Sequence, residues 1–146
     1  NPLQLVDRLR SCPIEFLRPL LATDGVEFYA LQKGAVGERD AEKAIAMGIR
    51  PLGAACTDFA DLAAASSLMD LIITVCTGPC HLAGALGLST WTMLGHFADW
   101  RWLQDRTGTP WYPTMRLFRQ PAPGDWPAVI QQVADALADR VNSRRP

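Results

Sequence analysis

The sequence predicts an α/β fold, a Rossmann-like parallel sheet with helices on both faces. Three observations indicate it. Short β-rich runs alternate with runs at helical spacing, which is typical of parallel strands joined by crossover helices. Residues 70–75 are apolar on both faces, as expected of a strand that is covered on both sides. Eleven glycines and eleven prolines, spread over 146 residues, favour many short connections over a bundle of long helices.

The elements are predicted in chain order. A first helix opens at Pro13, whose missing N–H costs nothing in a first turn, and runs to Leu21. Asp24 and Gly25 then predict a turn into the first strand. The predicted strands are residues 26–31, 49–53, 70–75, 90–94 and 115–119, and the further predicted helices are residues 38–47, 58–68, 79–86 and 125–140.

Capping residues support the helix boundaries. Asp58 and Asp125 precede helical runs and are predicted N-caps, because their carboxylates accept from the first backbone N–H groups. Gly48 and Gly87 follow helical runs and are predicted to end them, since glycine adopts the left-handed conformation that a helix end requires.

Length and charge limit the class of protein. A chain of 146 residues predicts one domain over residues 1–146. Fourteen Lys and Arg against fifteen Asp and Glu give a net charge of −1, which argues against nucleic acid or an anionic membrane as partner. No apolar run approaches the ~20 residues of a spanning helix. We predict a cytoplasmic protein whose cysteines (positions 12, 56, 76 and 80) are reduced thiols.

The sharpest motif is residues 75–82, where a strand ends and a helix begins within four residues. The N–H groups at a helix start, with the helix dipole behind them, attract anions. Gly78 permits close approach of a ligand, Thr77 adds a hydroxyl, and His81 lies where an imidazole can bond a phosphate oxygen. The motif predicts a diphosphate site. The alternative is an ordinary strand–helix turn with a packed His81.

Two further patterns bear on the same region. Lys33 lies in the loop at the carboxyl end of the first predicted strand, at the same sheet edge, and can point its ammonium at a phosphate. Cys76, Cys80 and His81, with Cys56, raise a zinc alternative, but their spacing departs from the usual knuckle, and we predict no metal. Cys80 lies near a helix N-terminus, where raised thiolate character is expected.

An aromatic segment follows the fourth strand. Asp99, Trp100 and Arg101 are its cleft candidates, because Trp faces stack on sugars or bases while Asp and Arg bind hydroxyls and phosphates. Its other aromatic residues are Phe97, Trp102, Trp111 and Tyr112. The alternative is that such residues pin an irregular loop onto the sheet. His96 is a candidate base, but nothing in the sequence pairs it with a nucleophile.

Residues 70–87 resemble the donor-site motif of bacterial heptosyltransferase-like glycosyltransferases, especially the domain that follows tetratricopeptide repeats. More distantly, the chain is similar to O-linked N-acetylglucosamine transferases. The segments that also resemble the tetratricopeptide-associated subgroup are residues 31–34, 58–61, 99–103, 110–113 and 117–120. Residues 1–11 resemble the loop after the first strand of the family's C-terminal domain, so we expect a fragment of a larger protein.

The resemblance implies the C-terminal half of a GT-B glycosyltransferase, which binds a nucleotide-sugar donor. It implies that Thr77, Gly78 and His81 contact the diphosphate and that Lys33 neutralises phosphate charge. It implies catalysis without a metal or further cofactor. It implies that the acceptor site lies in a missing N-terminal domain of the kind that accompanies tetratricopeptide repeats, so the isolated domain is expected to be inactive.

Several residues depart from the family pattern. Cys76 stands where the family has an Asp that contacts the donor sugar, and a thiol replaces carboxylate hydrogen bonds poorly. Gln4 and Val6 replace His and Asn, and Gly95-His96 replaces a turn that contains proline. The alternative function is therefore a degenerate, non-catalytic binding or scaffold module. A missing first strand would leave an open sheet edge, through which we expect homo-oligomers.

Overall fold

The computed structural model describes residues 11–144, apart from the side chain of Val36. The described chain forms two compact units. One unit consists of residues 13–62 and 130–144, and the other consists of residues 63–129 and 11–12. The predictions for residues 1–10, including those for Gln4 and Val6, lie outside the described residues. That residues 1–146 act as one domain stays a prediction.

The unit of residues 13–62 and 130–144 contains a two-stranded parallel sheet. Its elements are 3-10 turns at Ile14–Leu17 and Gly53–Ala55, helices α1 (Arg18–Leu21) and α2 (Ala35–Ala46), strands β1 (Phe28–Ala30) and β2 (Ile49–Pro51), and the start of α3 (Phe59–Ser67). β1 pairs with β2 so that Phe28 lies opposite Ile49. α2 makes the crossover between these parallel strands.

The unit of residues 63–129 contains a three-stranded parallel sheet in the order β3-β4-β5. Its elements are β3 (Ile72–Val75), α4 (Gly78–Ala85), β4 (Thr90–Leu94), a 3-10 turn at Trp100–Trp102, β5 (Met115–Arg119) and the first turn of α5 (Trp126–Asn142). The predicted α/β class is confirmed, since parallel strands in two sheets alternate with helices, consistent with a Rossmann-like fold.

Some predicted boundaries are wrong. The helix predicted from Pro13 to Leu21 is a 3-10 turn followed by a single helical turn, because Pro19 has no N–H to continue the ladder. The strand predicted at residues 49–53 ends at Pro51, because Gly53 opens a 3-10 turn after Leu52 has made the last ladder hydrogen bond, to the Ala30 carbonyl at 2.8 Å. The helix predicted from Glu38 begins earlier, at Ala35, after Gly34 turns the chain with a φ of +80°.

The predicted caps are confirmed. Asp58 Oδ1 accepts from the N–H groups of Ala60 and Asp61, at 2.8 and 2.9 Å. Asp125 Oδ1 accepts from Ala128 N–H at 3.1 Å. Gly48 and Gly87 have φ of +82° and +69°, the left-handed conformation that ends α2 and α4.

The core of the unit of residues 63–129 lies along β4, which is the middle strand of its sheet and is buried at all five residues. Around it a buried cluster comprises Cys80, Leu94, Trp102, Met115 and Leu117. The buried hydroxyl of Thr92 lies 3.2 Å from Cys80 Sγ, so that neither polar group is left unpaired.

No helix in the described part of the chain has both the length and the apolar character that crossing a bilayer requires.

Candidate functional site

Three loops meet at the carboxyl edge of the three-stranded sheet. They begin with Cys76 after β3, Gly95 after β4 and Gln120 after β5. The register places Val75 beside Met93 and Leu94 beside Arg119, so the loops leave the sheet side by side. Ligands of open parallel α/β sheets bind at this edge.

The start of α4 is open toward that edge. Thr77 is the N-cap with extended backbone, but its side chain makes no cap hydrogen bond, and its hydroxyl instead donates to the Val75 carbonyl at 3.2 Å. Pro79 has no N–H, and Cys80 N–H bonds to the Thr77 carbonyl at 3.0 Å. As the first helical residue, Gly78 has no acceptor for its N–H within the helix. The start of α4 thus offers fewer free N–H groups than a helix start without proline would.

His81 is held by two aromatic residues from the segment after β4. Its ring stacks on Trp102 with centroids 5.5 Å apart and planes at 18°, and its Nδ1 lies 3.0 Å from the Tyr112 hydroxyl. Gly84 makes room for Tyr112, since a Cβ at this glycine would lie 2.6 Å from the ring. Nε2 makes no hydrogen bond to any residue that the structure describes. The His81 ring is thus held through its stacking on Trp102 and through Nδ1, while Nε2 has no hydrogen bond within the described residues.

The surroundings of His81 lower its pKa below the ordinary 6.5. The main cause is burial, which disfavours the charged ring, and the nearby Arg101 acts in the same direction. His81 is therefore more often neutral than an exposed histidine. Should Tyr112 donate to Nδ1, the proton of the neutral ring sits on Nε2, where it can be donated to an anion.

This lowered pKa makes stability depend on pH. The unfolded chain takes up a proton at His81 near pH 6.5, whereas the folded chain does so only at lower pH. Stability from this group is therefore fully present above the ordinary pKa and is lost as pH falls from there through the lower pKa of the folded chain. Between about pH 7 and about pH 5, urea unfolding should show a steeper loss of stability in the native chain than in His81→Gln. Equal pH dependence in both chains would contradict this account.

Cys76 is turned toward the core. The indole Nε1–H of Trp102 donates to its Sγ at 3.1 Å, and Cys76 packs against the buried cluster around Trp102. The thiol at the predicted donor-sugar position is thus occupied by an internal contact. The sequence marks Cys76 as a change on the ligand edge, and the structure adds a packing role that the sequence does not indicate.

Cys80 is inert in this environment. Burial raises the pKa of its thiol to about 11, which outweighs the helix start and the hydrogen bond to Thr92. The expectation of raised thiolate character at Cys80 is therefore wrong. Among the residues that the structure describes, no three His, Cys, Asp or Glu side chains converge as a metal site.

The cleft candidates form an exposed cluster next to this edge. Asp99 pairs with Arg101 at 2.7 Å and also accepts from its backbone N–H, and the Arg101 guanidinium lies 5.2 Å from the Trp100 ring. Trp111 meets Trp100 edge-on and donates its indole N–H to the Arg101 carbonyl at 3.1 Å. Trp100 is 69% exposed and Trp111 58%, whereas Trp102 is fully buried. The aromatic segment thus divides into an outer surface and a core anchor.

Lys33 lies in the other compact unit from Thr77, Gly78 and His81. Its ammonium donates to the carbonyls of Cys56 and Thr57 at 2.7 and 2.8 Å, which ties the loop after β1 to the loop before α3. A role for Lys33 toward phosphate stays a prediction.

Sequence reasoning missed the partner of His96. Gln120, directly after β5, accepts at its side-chain Oε1 from His96 N–H at 3.3 Å, and its carbonyl lies 3.1 Å from His96 Nδ1. The two residues are 24 positions apart, so only the strand order could have brought them together. The available signal was that both residues lie just after predicted parallel strands.

Comparison with known proteins gives a distant likeness. No known family profile matches the chain, and no solved structure does. The chain is similar to Protein FlbA of Caulobacter vibrioides, with 33% identity over 139 residues. The match covers 87% of this chain but 22% of FlbA, so the chain spans a small part of that relative. Its name states no activity, and the likeness carries no function to this chain.

Proposed function

We propose that the chain is the nucleotide-sugar-binding domain of a glycosyltransferase, equivalent to the C-terminal half of a GT-B enzyme of the heptosyltransferase-like type. The observation that carries the proposal is the uncapped start of α4 at the carboxyl edge of β3, with His81 fixed beside it. The resemblance of residues 70–87 to a donor-site motif supports the same conclusion.

The site has the chemistry that a diphosphate requires. The helix dipole and the Gly78 N–H attract oxyanions. The Thr77 hydroxyl now donates to the Val75 carbonyl, and it can donate to a phosphate oxygen instead. The stacked His81 presents Nε2 without an entropic cost for ordering its ring. As the glycosidic bond breaks, negative charge accumulates on the leaving diphosphate, where fixed donors stabilise it without a metal.

The exposed aromatic cluster extends the site. Trp100 and Trp111 offer flat apolar faces of the kind that pack on sugar rings and nucleobases. Asp99 and Arg101 hold each other in place. The carboxylate still has lone pairs and the guanidinium still has N–H groups that can bond to ligand hydroxyls. We assign this cluster to the sugar or base rather than to the phosphates, because the Arg101 charge is already paired with Asp99.

Calorimetry with single-residue variants tests the proposal. UDP, GDP, ADP and CDP, each with its glucose or mannose conjugate, would be titrated into the native chain, and the ligand that binds into the variants. Thr77→Val and His81→Gln should weaken binding about tenfold or more, the usual effect of losing a hydrogen bond to a charged group.

Thr114→Val is the matched control. Its hydroxyl also donates to a backbone carbonyl, that of Leu88 at 2.9 Å, but it lies before β5 at the opposite, amino edge of the sheet. This variant should bind like the native chain. Equal losses in Thr77→Val and Thr114→Val, or unaltered binding in His81→Gln, would contradict the proposed site.

One observation favours the second candidate, a nucleotide-binding module without catalysis. Two polar side chains at the edge already bond to other residues of the chain, since Cys76 accepts from Trp102 and Arg101 pairs with Asp99. A module of this kind binds nucleotide-sugars without turning them over. Release of nucleoside diphosphate from a bound nucleotide-sugar, by a protein that includes this chain and its natural flanking domains, would reject this candidate.

A further inference from the structure

His96 and Gln120 form a polar pair at the carboxyl edge of the sheet. His96 is separated from the end of β4 by Gly95 and is exposed. Gln120 directly follows β5 and is only 2% exposed. The His96 N–H donates to Gln120 Oε1 at 3.3 Å, and His96 Nδ1 lies 3.1 Å from the Gln120 carbonyl oxygen. One buried residue therefore holds both the backbone and the ring of His96.

The contact to the carbonyl decides which ring nitrogen carries the proton. A carbonyl oxygen has lone pairs and no hydrogen, so the contact is a hydrogen bond only when Nδ1 is the donor. A neutral imidazole has a single N–H. In neutral His96 that hydrogen is on Nδ1, and Nε2 keeps an unshared electron pair. Within the described residues, no group donates to this Nε2.

Gln120 is itself firmly held. Its Oε1 accepts a second hydrogen bond from Gly124 N–H at 3.0 Å, and its own N–H donates to the Leu94 carbonyl at 3.0 Å. The two N–H donors on Oε1 also settle the orientation of the amide. Phe97 meets the His96 ring edge-on, with centroids 4.8 Å apart. The direction of Nε2 is therefore set by the fold.

A lone pair at this position discriminates between ligand groups. Phosphate oxygens are acceptors and cannot bond a nitrogen that has no hydrogen, whereas a sugar hydroxyl donates to it readily. The neighbouring acceptor Cys76 already receives the Trp102 indole N–H, and the Thr77 hydroxyl lies at the start of α4. A hydroxyl that arrives at the end of β4 therefore finds its acceptor at His96.

We propose that His96 Nε2 accepts a hydrogen bond from a hydroxyl of the donor sugar, and so orients a nucleotide-sugar with its diphosphate at the start of α4 and its sugar at the end of β4. This assignment rests on the proposed function and adds the direction of the ligand along the edge. Adjacent strands are ~4.8 Å apart, so the two positions are close enough for one nucleotide-sugar to reach both. Phe97, 80% exposed, provides an apolar face beside the sugar.

Imidazole NMR tests the assignment. The chain has two histidines, so long-range proton–nitrogen spectra of the 15N-labelled chain are assigned with His81→Gln and His96→Gln. The neutral ring of His96 should show the Nδ1–H tautomer. UDP, GDP or ADP should shift His81 alone, whereas UDP-glucose, GDP-mannose or ADP-glucose should also shift His96 Nε2.

Affinities of a matched variant complete the test. His96→Asn keeps an N–H donor near the position of Nδ1 and removes Nε2. It should weaken binding of the nucleotide-sugar about fivefold to tenfold, the usual effect of losing one hydrogen bond, and leave binding of the nucleoside diphosphate unchanged.

The outcomes separate this assignment from the proposed function. An Nε2–H tautomer of His96 in the unliganded chain overturns the assignment whatever the chain binds. Nucleotide-sugar binding that shifts His81, but neither shifts His96 nor responds to His96→Asn, also overturns it and leaves the proposed function standing. If no nucleotide binds to a chain with the Nδ1–H tautomer, the proposed function fails and the assignment fails with it.

Discussion

Replacement of Trp102 with alanine is expected to lower the free energy of unfolding by about 3–5 kcal/mol. Trp102 is fully buried in the cluster with Cys80, Leu94, Met115 and Leu117. Its removal leaves a large cavity and also removes the indole hydrogen bond to Cys76. His81 loses the ring on which it stacks, so the proposed nucleotide binding should weaken together with stability.

Urea unfolding with two comparison variants checks this expectation. Trp102→Phe keeps most of the ring volume but deletes the N–H, and should lose less than the alanine variant. Trp111→Ala removes a tryptophan from the same segment that is 58% exposed, and should cost little. If Trp102→Ala were no more destabilising than Trp111→Ala, the aromatic segment would not be anchored as described.

Gly84→Ala is expected to destabilise the chain by about 1–3 kcal/mol, although alanine is the better helix former. The added Cβ would lie 2.6 Å from the Tyr112 ring and 3.0 Å from Met115 Cε. Tyr112 must move away from α4, which breaks its contact with His81 Nδ1. His81 then becomes less buried, and its lowered pKa should rise toward the ordinary value.

NMR titration of His81 and urea unfolding measure both effects. Gly108→Ala is the control, because a Cβ at Gly108 meets nothing within 4 Å and its φ is not positive. This variant should leave stability and the His81 pKa unchanged. An unaltered His81 pKa in Gly84→Ala, with native stability, would show that Tyr112 does not fix the imidazole.

Local signals in the sequence predicted most of the fold. The alternation of apolar runs predicted the five described strands, and Asp58 and Asp125 predicted two helix starts from hydrogen bonds that span only three residues. Where the prediction was wrong, as at Pro19, a missing N–H interrupted a helix that the apolar pattern alone would have continued.

The site was harder to predict because its contacts are distant in the chain. His81 and Tyr112 are 31 residues apart, Cys76 and Trp102 are 26 apart, and spacing gives no information on such pairs. A 3-10 turn at Trp100–Trp102 also sends Trp100 outward and Trp102 inward, which the composition of the segment cannot show. Leu103 then takes a φ of +53°, and Arg119 donates to its carbonyl at 2.7 Å.

The most direct measurement of the central claim is a map of backbone amide shifts in the 15N-labelled chain as nucleoside diphosphate is added. The account predicts saturable shifts at Thr77, Gly78 and His81, at the start of α4, with little change around Thr114 at the opposite edge. Absence of any shift at millimolar nucleotide in a folded chain, or shifts centred on the amino edge, would contradict it.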